Sequence, residues 1–423
     1  MQRSLAYALS PAPGLPLRFL LAAPWFGVLA ALALLAAGPS TFVSRWSTPA
    51  LGATHLLTLG YLGMAMAGSM LQLIPVVTGI ALPFSRAAAA LAWSGLAAGA
   101  VLLAGALGLN ATYLFVPAAL LLALAFAILG GGIAGALLRP AAAAAMPMVR
   151  GMRLAGAGLA VTVVLGLILA FSLAGALSAP VFMLANLHAA WGLLGWVAML
   201  IVGVAFQVIP MFQSSQIYPP AVTRWAPWIL AGLLAAWSAA WIAGHASAQL
   251  AAGLLAAALA AFAALSARLL ATRKRKQTDA TTLYWRLSLV SLGASCVLFL
   301  LPDSPQAQLL VGVVFIGGFA LGAVNGMLYK IVPFLLWYHL QQDPNAAKGA
   351  VPPIRVILPD DLARRQFWWY VAALAALVGA VLVPEWLAHP AAALLGVSSL
   401  LLGLDLWRAA RGARSTRSAF QPS

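Results

Sequence analysis

The chain is poor in charge, and above all in acidic charge. Only 7% of its 423 residues are charged, with 7 Asp and Glu against 23 Lys and Arg. A soluble domain carries about 25% charged residues, so most of this chain is not expected to face water. The shortage of carboxylates also argues against a cluster for hard cations such as Mg²⁺.

Cysteine is almost absent as well. A single residue, Cys296, excludes a disulfide within the chain and a thiolate metal cluster. No CxxCH sequence occurs, so covalent attachment of c-type haem is excluded. Walker, dinucleotide-binding and HExxH motifs are missing too. The sequence therefore offers none of the usual sites of soluble enzymes.

Long apolar runs fill most of the chain, which is 64% hydrophobic. A hydrocarbon core about 30 Å thick requires about 20 apolar residues, and a helix satisfies its own backbone there. The alternation typical of a β-barrel is not seen. The sequence predicts an all-α polytopic membrane helix bundle forming one domain over 1–423. About twelve transmembrane helices are expected, near 18–38, 55–82, 87–109, 112–138, 154–177, 184–213, 226–244, 247–271, 285–301, 307–339, 367–384 and 390–408.

The basic residues indicate an orientation. All but two of the 23 lie in alternate gaps between the spans, at the helix ends beside those gaps, or in the two tails. The exceptions are Arg45 and Lys330. Loops rich in Lys and Arg stay in the cytoplasm, so both termini are predicted to be cytoplasmic in a bacterial inner membrane. This placement of basic residues accounts for the net charge of +16. The expected partner is the lipid bilayer, and no nucleic acid is expected.

An internal repeat links spans 2, 6 and 10. The pattern G-x-x-x-[QK]-[LVI]-[IV]-P begins at Gly68, Gly203 and Gly326, at spacings of 135 and 123 residues. This period predicts three four-helix units with pseudo-threefold symmetry, covering about 16–150, 151–280 and 281–410. Each of the three helices is expected to bend at the proline that closes the pattern.

A polar side chain recurs inside this repeat, as Gln72, Gln207 and Lys330. It precedes the proline by about one turn and could donate to the carbonyl that the proline frees. A lysine within a span is unfavourable by a few kcal/mol unless it snorkels to the surface or is paired. Asp405 is a possible partner for Lys330.

Histidines near the predicted outer face are the candidate ligands. His55 and His188 begin spans 2 and 6, and neutral imidazole binds haem iron and copper alike. Together they could hold a haem b iron or a copper ion, or each could simply bond a carbonyl at the interface. Their offsets from the repeat glycines differ by roughly 200° of helix rotation, so a local irregularity would have to bring them together. His245 and His389, in outer gaps, are further candidate metal ligands or ordinary loop histidines.

Span 2 resembles a known family. The stretches His55-Leu-Leu-Thr-Leu-Gly60 and Gly68-Ser-Met-Leu-Gln72-Leu-Ile-Pro75-Val-Val-Thr78-Gly79 are similar to the second helix of NnrS proteins. Those are twelve-helix bacterial membrane proteins that bind haem and copper and are linked to nitric-oxide stress. The resemblance implies that His55 is a haem ligand. Where that family has another histidine and a glutamate, this chain has Ala53 and Leu56.

The three-unit architecture also resembles subunit I of the haem–copper oxidases. Those oxidases need a histidine pair on helix 10, which is missing here, so a dioxygen-reducing binuclear centre is not expected. The leading interpretation is a haem- or copper-binding protein for electron transfer or for nitric-oxide or metal handling, with an unidentified redox partner. The alternatives are a small-solute or metal transporter using Lys330, Gln72 and Gln207, and a cofactor-free assembly factor. Enzyme activity stays undecided.

Overall fold

In a computed structural model that describes residues 7–139, 145–274, 277–347 and 349–420, the chain is helical throughout, and these residues form no strand. The predicted inner-side residues Arg3, Arg275, Lys276 and Lys348 lie outside them. The long helices are α1 (Gly14–Phe42), α2 (Thr48–Thr78), α3 (Arg86–Gly108), α4 (Thr112–Leu137), α5 (Met146–Leu173), α6 (Val181–Gln213), α7 (Pro220–Ile242), α8 (Ser247–Ala271), α9 (Ala280–Leu298), α10 (Pro305–Gln341), α11 (Asp360–Leu382) and α12 (Pro384–Ser418).

Eleven of these helices are long and apolar enough to cross a membrane, and the chain is a multi-pass membrane protein. The helix left out is α9, at the position of the predicted ninth span. It is less apolar because it carries Arg286 and a series of buried serines. Two of these, Ser288 and Ser291, lie against Gly322 and Gly318 of α10. Small residues facing one another allow two helices to approach closely in a membrane.

Several helices end at residues other than those predicted from the spans. Helix α2 stops earlier than expected, at Thr78, because Gly79 adopts a left-handed conformation with φ 71°. Helix α12 instead continues from the predicted end at 408 to Ser418. Its 35 residues measure about 52 Å at 1.5 Å per residue, more than the hydrocarbon core needs. Hydropathy marks where the apolar environment ends, whereas a helix can continue into the headgroup layer.

Helices α2, α6 and α10 form the centre of the bundle. The most apolar windows of these three are 72%, 72% and 61% buried inside the protein, and the value is 50% or less for the other eight spanning helices. The three central helices are the ones that carry the repeated sequence pattern. Their prolines Pro75, Pro210 and Pro333 lie within the helices rather than at their ends.

Each central helix contains an eight-residue π-helical segment, at Leu56–Gly63, Trp191–Ala198 and Val313–Ala320. A π turn is rare and is often found at functional sites. Every segment includes a glycine, Gly60, Gly195 or Gly318, that lies eight residues before the repeat glycine of its helix. The sequence repeat is therefore longer than the pattern that first identified it.

The repeat glycines lie where a neighbouring helix approaches. A Cβ on Gly203 would lie 2.7 Å from the Cα of Gly151 on α5, closer than two carbon atoms can approach. Gly326 meets Tyr284 of α9 and Gly68 meets Leu20 of α1 in the same way. Each repeat glycine thus packs on the helix that precedes it in the chain.

Candidate functional site

His55 and His188 lie at the same distance from the starts of two central helices. Each is the eighth residue of its helix, since α2 begins at Thr48 and α6 at Val181. Eight residues of helix correspond to about 12 Å, so both imidazoles lie beyond the first two turns rather than at the helix tips. In both helices the π-helical segment follows within three residues. Both side chains are partly buried.

The structure brings these two histidines together. Their ring centres are 6.2 Å apart and the ring planes differ by only 15°. This separation is too large for face-to-face contact, which places carbon atoms about 3.5–4.0 Å apart. The two imidazoles are therefore near-parallel neighbours whose ring centres lie beyond face-to-face contact.

In both rings the Nδ1 atom is bound to a backbone carbonyl. His55 Nδ1 lies 2.8 Å from the Leu51 oxygen, and His188 Nδ1 lies 3.0 Å from the Thr162 oxygen on α5. Because a carbonyl oxygen only accepts, each Nδ1 carries the proton and donates. The Nε2 atom of each neutral ring then holds an available lone pair. Metal-binding histidines are usually held in this way through their other nitrogen.

The two rings are held by different helices. His55 bonds within its own helix, one turn back, whereas His188 reaches across to α5. Gly166 of α5 makes room for that ring, since a Cβ there would lie 3.0 Å from His188 Cε1. A side chain at residue 166 would push the imidazole away from its position.

The segment between α1 and α2 covers the start of α6 next to the pair. Arg45 donates to Asn186 Oδ1 at 2.7 Å, and Asn186 precedes His188 by two residues. Trp46 packs edge-on against Phe182 with ring centres 5.4 Å apart. The Nε atom of Arg45 is buried and has no hydrogen-bond partner among the described residues. A cation with unused donor capacity therefore lies at this end of the bundle.

The other two candidate ligands lie elsewhere. His245 is exposed in the turn between α7 and α8, and His389 is exposed near the start of α12, against Gly38. Within the described ranges, no three His, Cys, Asp or Glu side chains are grouped so that they could hold a metal ion. The pair thus stands as a two-ligand site in the part of the chain that the structure describes.

Lys330 is paired, and its partner is Asp279 rather than Asp405. The Lys330 ammonium donates to Asp279 Oδ2 at 2.9 Å. Asp405 instead accepts from Tyr329 and Arg365. Sequence analysis missed Asp279 because it lies in a gap between spans, where an aspartate needs no explanation. It caps the N-terminus of α9, accepting the Thr282 N–H at 2.9 Å.

The electrostatics favour the ionised form of Asp279. Burial by itself raises the pKa of Asp279, but the hydrogen bond and charge of Lys330, together with hydrogen bonds from Thr282, outweigh it. The pKa of Asp279 is therefore lowered from its ordinary value. The pair joins the α8–α9 connection to central helix α10.

The repeated polar side chains do not share the role predicted for them. Gln72 donates to Ser10 Oγ at 3.2 Å, and Gln207 makes no side-chain hydrogen bond to the described residues. The expected donation to the carbonyl freed by the following proline is not observed. In a helix the Cα–Cβ bond tilts toward the N-terminus whereas the carbonyls point toward the C-terminus, so the two groups diverge.

A cavity of about 70 Å³ lies where the three central helices meet. Its lining is almost entirely apolar, and Gln72, Gln207 and Lys330 are not part of it. A polar solute pathway would require polar lining groups. This central space therefore offers no support for the transporter interpretation.

No family model and no curated protein matches the chain. Similarity to NnrS proteins thus remains an expectation from the residues of span 2. The candidate functional feature is the near-parallel histidine pair, with its two available Nε2 atoms.

Proposed function

We propose that the protein holds one metal centre, a haem b iron or a copper ion, between His55 Nε2 and His188 Nε2. The observation that carries this proposal is the pair of near-parallel imidazoles 6.2 Å apart, each fixed through Nδ1. The site lies near the predicted outer face of a bacterial inner membrane. Its role is electron transfer, or nitric-oxide or metal handling, with a redox partner still to be identified.

The ring separation supports a shared metal. A metal–imidazole bond measures about 2.0–2.1 Å, and the ring centre lies roughly 1.1 Å behind the nitrogen. Two imidazoles on opposite sides of one ion therefore have ring centres about 6 Å apart. The observed 6.2 Å matches that distance. Two histidines that only stacked on or hydrogen-bonded to each other would not require this separation.

The number of donors narrows the choice of metal. Structural zinc takes four ligands, and the described residues supply two. His55 and His188 would supply the two protein donors that a haem iron takes, and a copper(I) ion would also accept two imidazoles. Arg45, whose Nε lacks a partner among the described residues and whose charge Asp303 already faces, would be a cation near a haem propionate. A haem held by His55 and His188 would supply one-electron redox chemistry.

The architecture proposed with this site has twelve spans, namely the eleven apolar helices together with α9. The twelve helices form three units around the central cavity. Support comes from the three π-helical segments and from the cavity lining. Positions separated by the repeat spacing meet there as three sets: Ala65, Leu200 and Ala323; Met66, Ile201 and Val324; Ser69, Val204 and Met327. A composition bias alone would not bring corresponding positions to one point.

Absorption spectra of protein purified from membranes test the proposal. Wild type is expected to show the sharp reduced band of bis-histidine haem, or to contain one equivalent of copper by elemental analysis. His55→Ala and His188→Ala should each lose the chromophore or the metal, with unchanged elution in size-exclusion chromatography. His245→Ala is the matched control and should keep it, since that imidazole is exposed and remote from the pair.

Three outcomes contradict the proposal. A wild-type protein that stays colourless and metal-free after haem and copper have each been offered during expression has no such centre. Retention of full occupancy in both alanine variants would place the cofactor elsewhere in the chain. Loss in only one variant would contradict a shared ion and leave a single-ligand site.

A further inference from the structure

A second cavity lies at the opposite end of the bundle from the histidine pair. It has a volume of about 330 Å³ and lies, partly open, between the start of α1, the end of α10 and the end of α12. Leucines and alanines form much of its lining, including Leu17, Leu336 and Ala413. Its volume falls in the range of about 300–1,000 Å³ seen for small-molecule sites. The proposed metal centre does not involve it.

The lining also includes positive charge. Arg18 of α1 and both Arg414 and Arg417 of α12 line the cavity together with the apolar residues. Arg417 donates to Asp343 at 2.8 Å, and the pKa of that carboxyl is lowered by the Asn345 N–H and by Arg417. This carboxylate therefore neutralises Arg417. Neither Arg18 nor Arg414 takes part in any of the ion pairs that the structure describes. Their charges are therefore uncompensated by those pairs.

A further polar group lies within the same cavity lining. His339 of α10 has its Nε2 buried without a hydrogen-bond partner among the described residues. Such an atom is left unsatisfied unless a ligand or a water bonds to it. Apolar walls and two arginines outside the described ion pairs are suited to a ligand with a hydrocarbon part and an anionic part.

We propose that this cavity binds one anionic phospholipid, with its phosphate between Arg18 and Arg414 and the start of its acyl chains against Leu17, Leu336 and Ala413. Guanidinium groups bind phosphate through paired N–H donors. Basic pockets between transmembrane helices on the cytoplasmic side are suited to lipid headgroups, and the lining arginines belong to the predicted cytoplasmic side. Because α12 continues to Ser418, its arginines reach the headgroup layer.

The test compares two double variants that lose the same charge. Arg18→Gln/Arg414→Gln removes the two cavity cations, whereas Arg355→Gln/Arg411→Gln removes exposed arginines that do not line the cavity. Each full-length protein is placed in nanodiscs of phosphatidylcholine with 10% phosphatidylglycerol, and bound lipid is measured by native mass spectrometry. Wild type and the control should retain one phosphatidylglycerol. The cavity variant should bind it about twenty-five-fold more weakly, from a factor of roughly five per arginine.

A steric variant and a competitor separate the remaining outcomes. Ala413→Phe fills the apolar part without a change in charge and should also lower retention. Equal retention by both double variants, or equal retention of phosphatidylcholine, overturns the proposal. Displacement of the lipid by inorganic phosphate at constant ionic strength would identify a free-phosphate site and would overturn the lipid assignment. A thermal melt of each variant verifies that the protein is folded.

Discussion

Separating Lys330 from Asp279 should destabilise the protein by a predictable amount. The ammonium and the carboxylate are 2.9 Å apart, with side chains 27% and 9% exposed. Lys330→Met removes the charge and keeps most of the apolar stem, so packing changes little. Asp279 keeps the Thr282 N–H as a donor but loses its bond to the ammonium at a largely buried position. The expected loss is about 1–3 kcal/mol in the free energy of unfolding.

The partner substitution should have a smaller effect. Asn caps a helix as well as Asp, so Asp279→Asn keeps the N-cap of α9 and removes only the charge. Lys330 can then extend toward water, and a loss of about 1 kcal/mol is expected. The double variant should lose less than the sum of the two single variants, with a coupling energy of about 1–2 kcal/mol.

Unfolding by SDS titration in mixed micelles measures all three variants. Lys274→Met is the matched control, because it makes the same substitution at an exposed position of the neighbouring segment and should stay within about 0.5 kcal/mol of wild type. A Lys330→Met protein as stable as this control would refute the buried pair. Strict additivity of the single variants would show that the two side chains do not interact.

The pair should also make stability depend on pH. The pKa of Asp279 is lowered by folding, so its contribution is fully present above the ordinary aspartate value of 3.8. It is lost as the pH falls below that value and through the lower folded pKa. The stability difference between wild type and Asp279→Asn should therefore shrink toward zero in acid. A difference that stays constant with pH would contradict this.

Two further predictions concern orientation and ligand placement. In a Cys296→Ser background, a cysteine at Thr112 should react with an impermeant thiol reagent from the periplasmic side and one at Gln216 should not; the reverse labelling would invert the predicted topology. Gly166→Ala should displace the His188 ring and weaken retention of the metal centre about tenfold. Gly156→Ala, at an open position of the same helix, should leave retention of the metal centre unchanged. Equal effects of the two Gly→Ala variants would mean that Gly166 does not position the ring.

The sequence by itself determined the class of the protein and the position of its helices. Scarcity of charge and runs of about 20 apolar residues permit few structures other than membrane-spanning helices, and the helices lie at the predicted spans. The spacing of Gly68, Gly203 and Gly326 also identified α2, α6 and α10, which turn out to be the most buried helices. These properties depend on local composition and periodicity, which are read along the chain.

Only the tertiary structure decided which side chains meet. The rotation of His188 toward His55 depends on the Thr162 carbonyl and on the space at Gly166, both on another helix. Lys330 bonds to Asp279, 51 residues away in sequence, rather than to the aspartate of α12 that seemed available. The π-helical segments likewise have no signature in hydropathy. Helix rotation and side-chain reach are set by packing between helices, and one-dimensional periodicity does not contain that information.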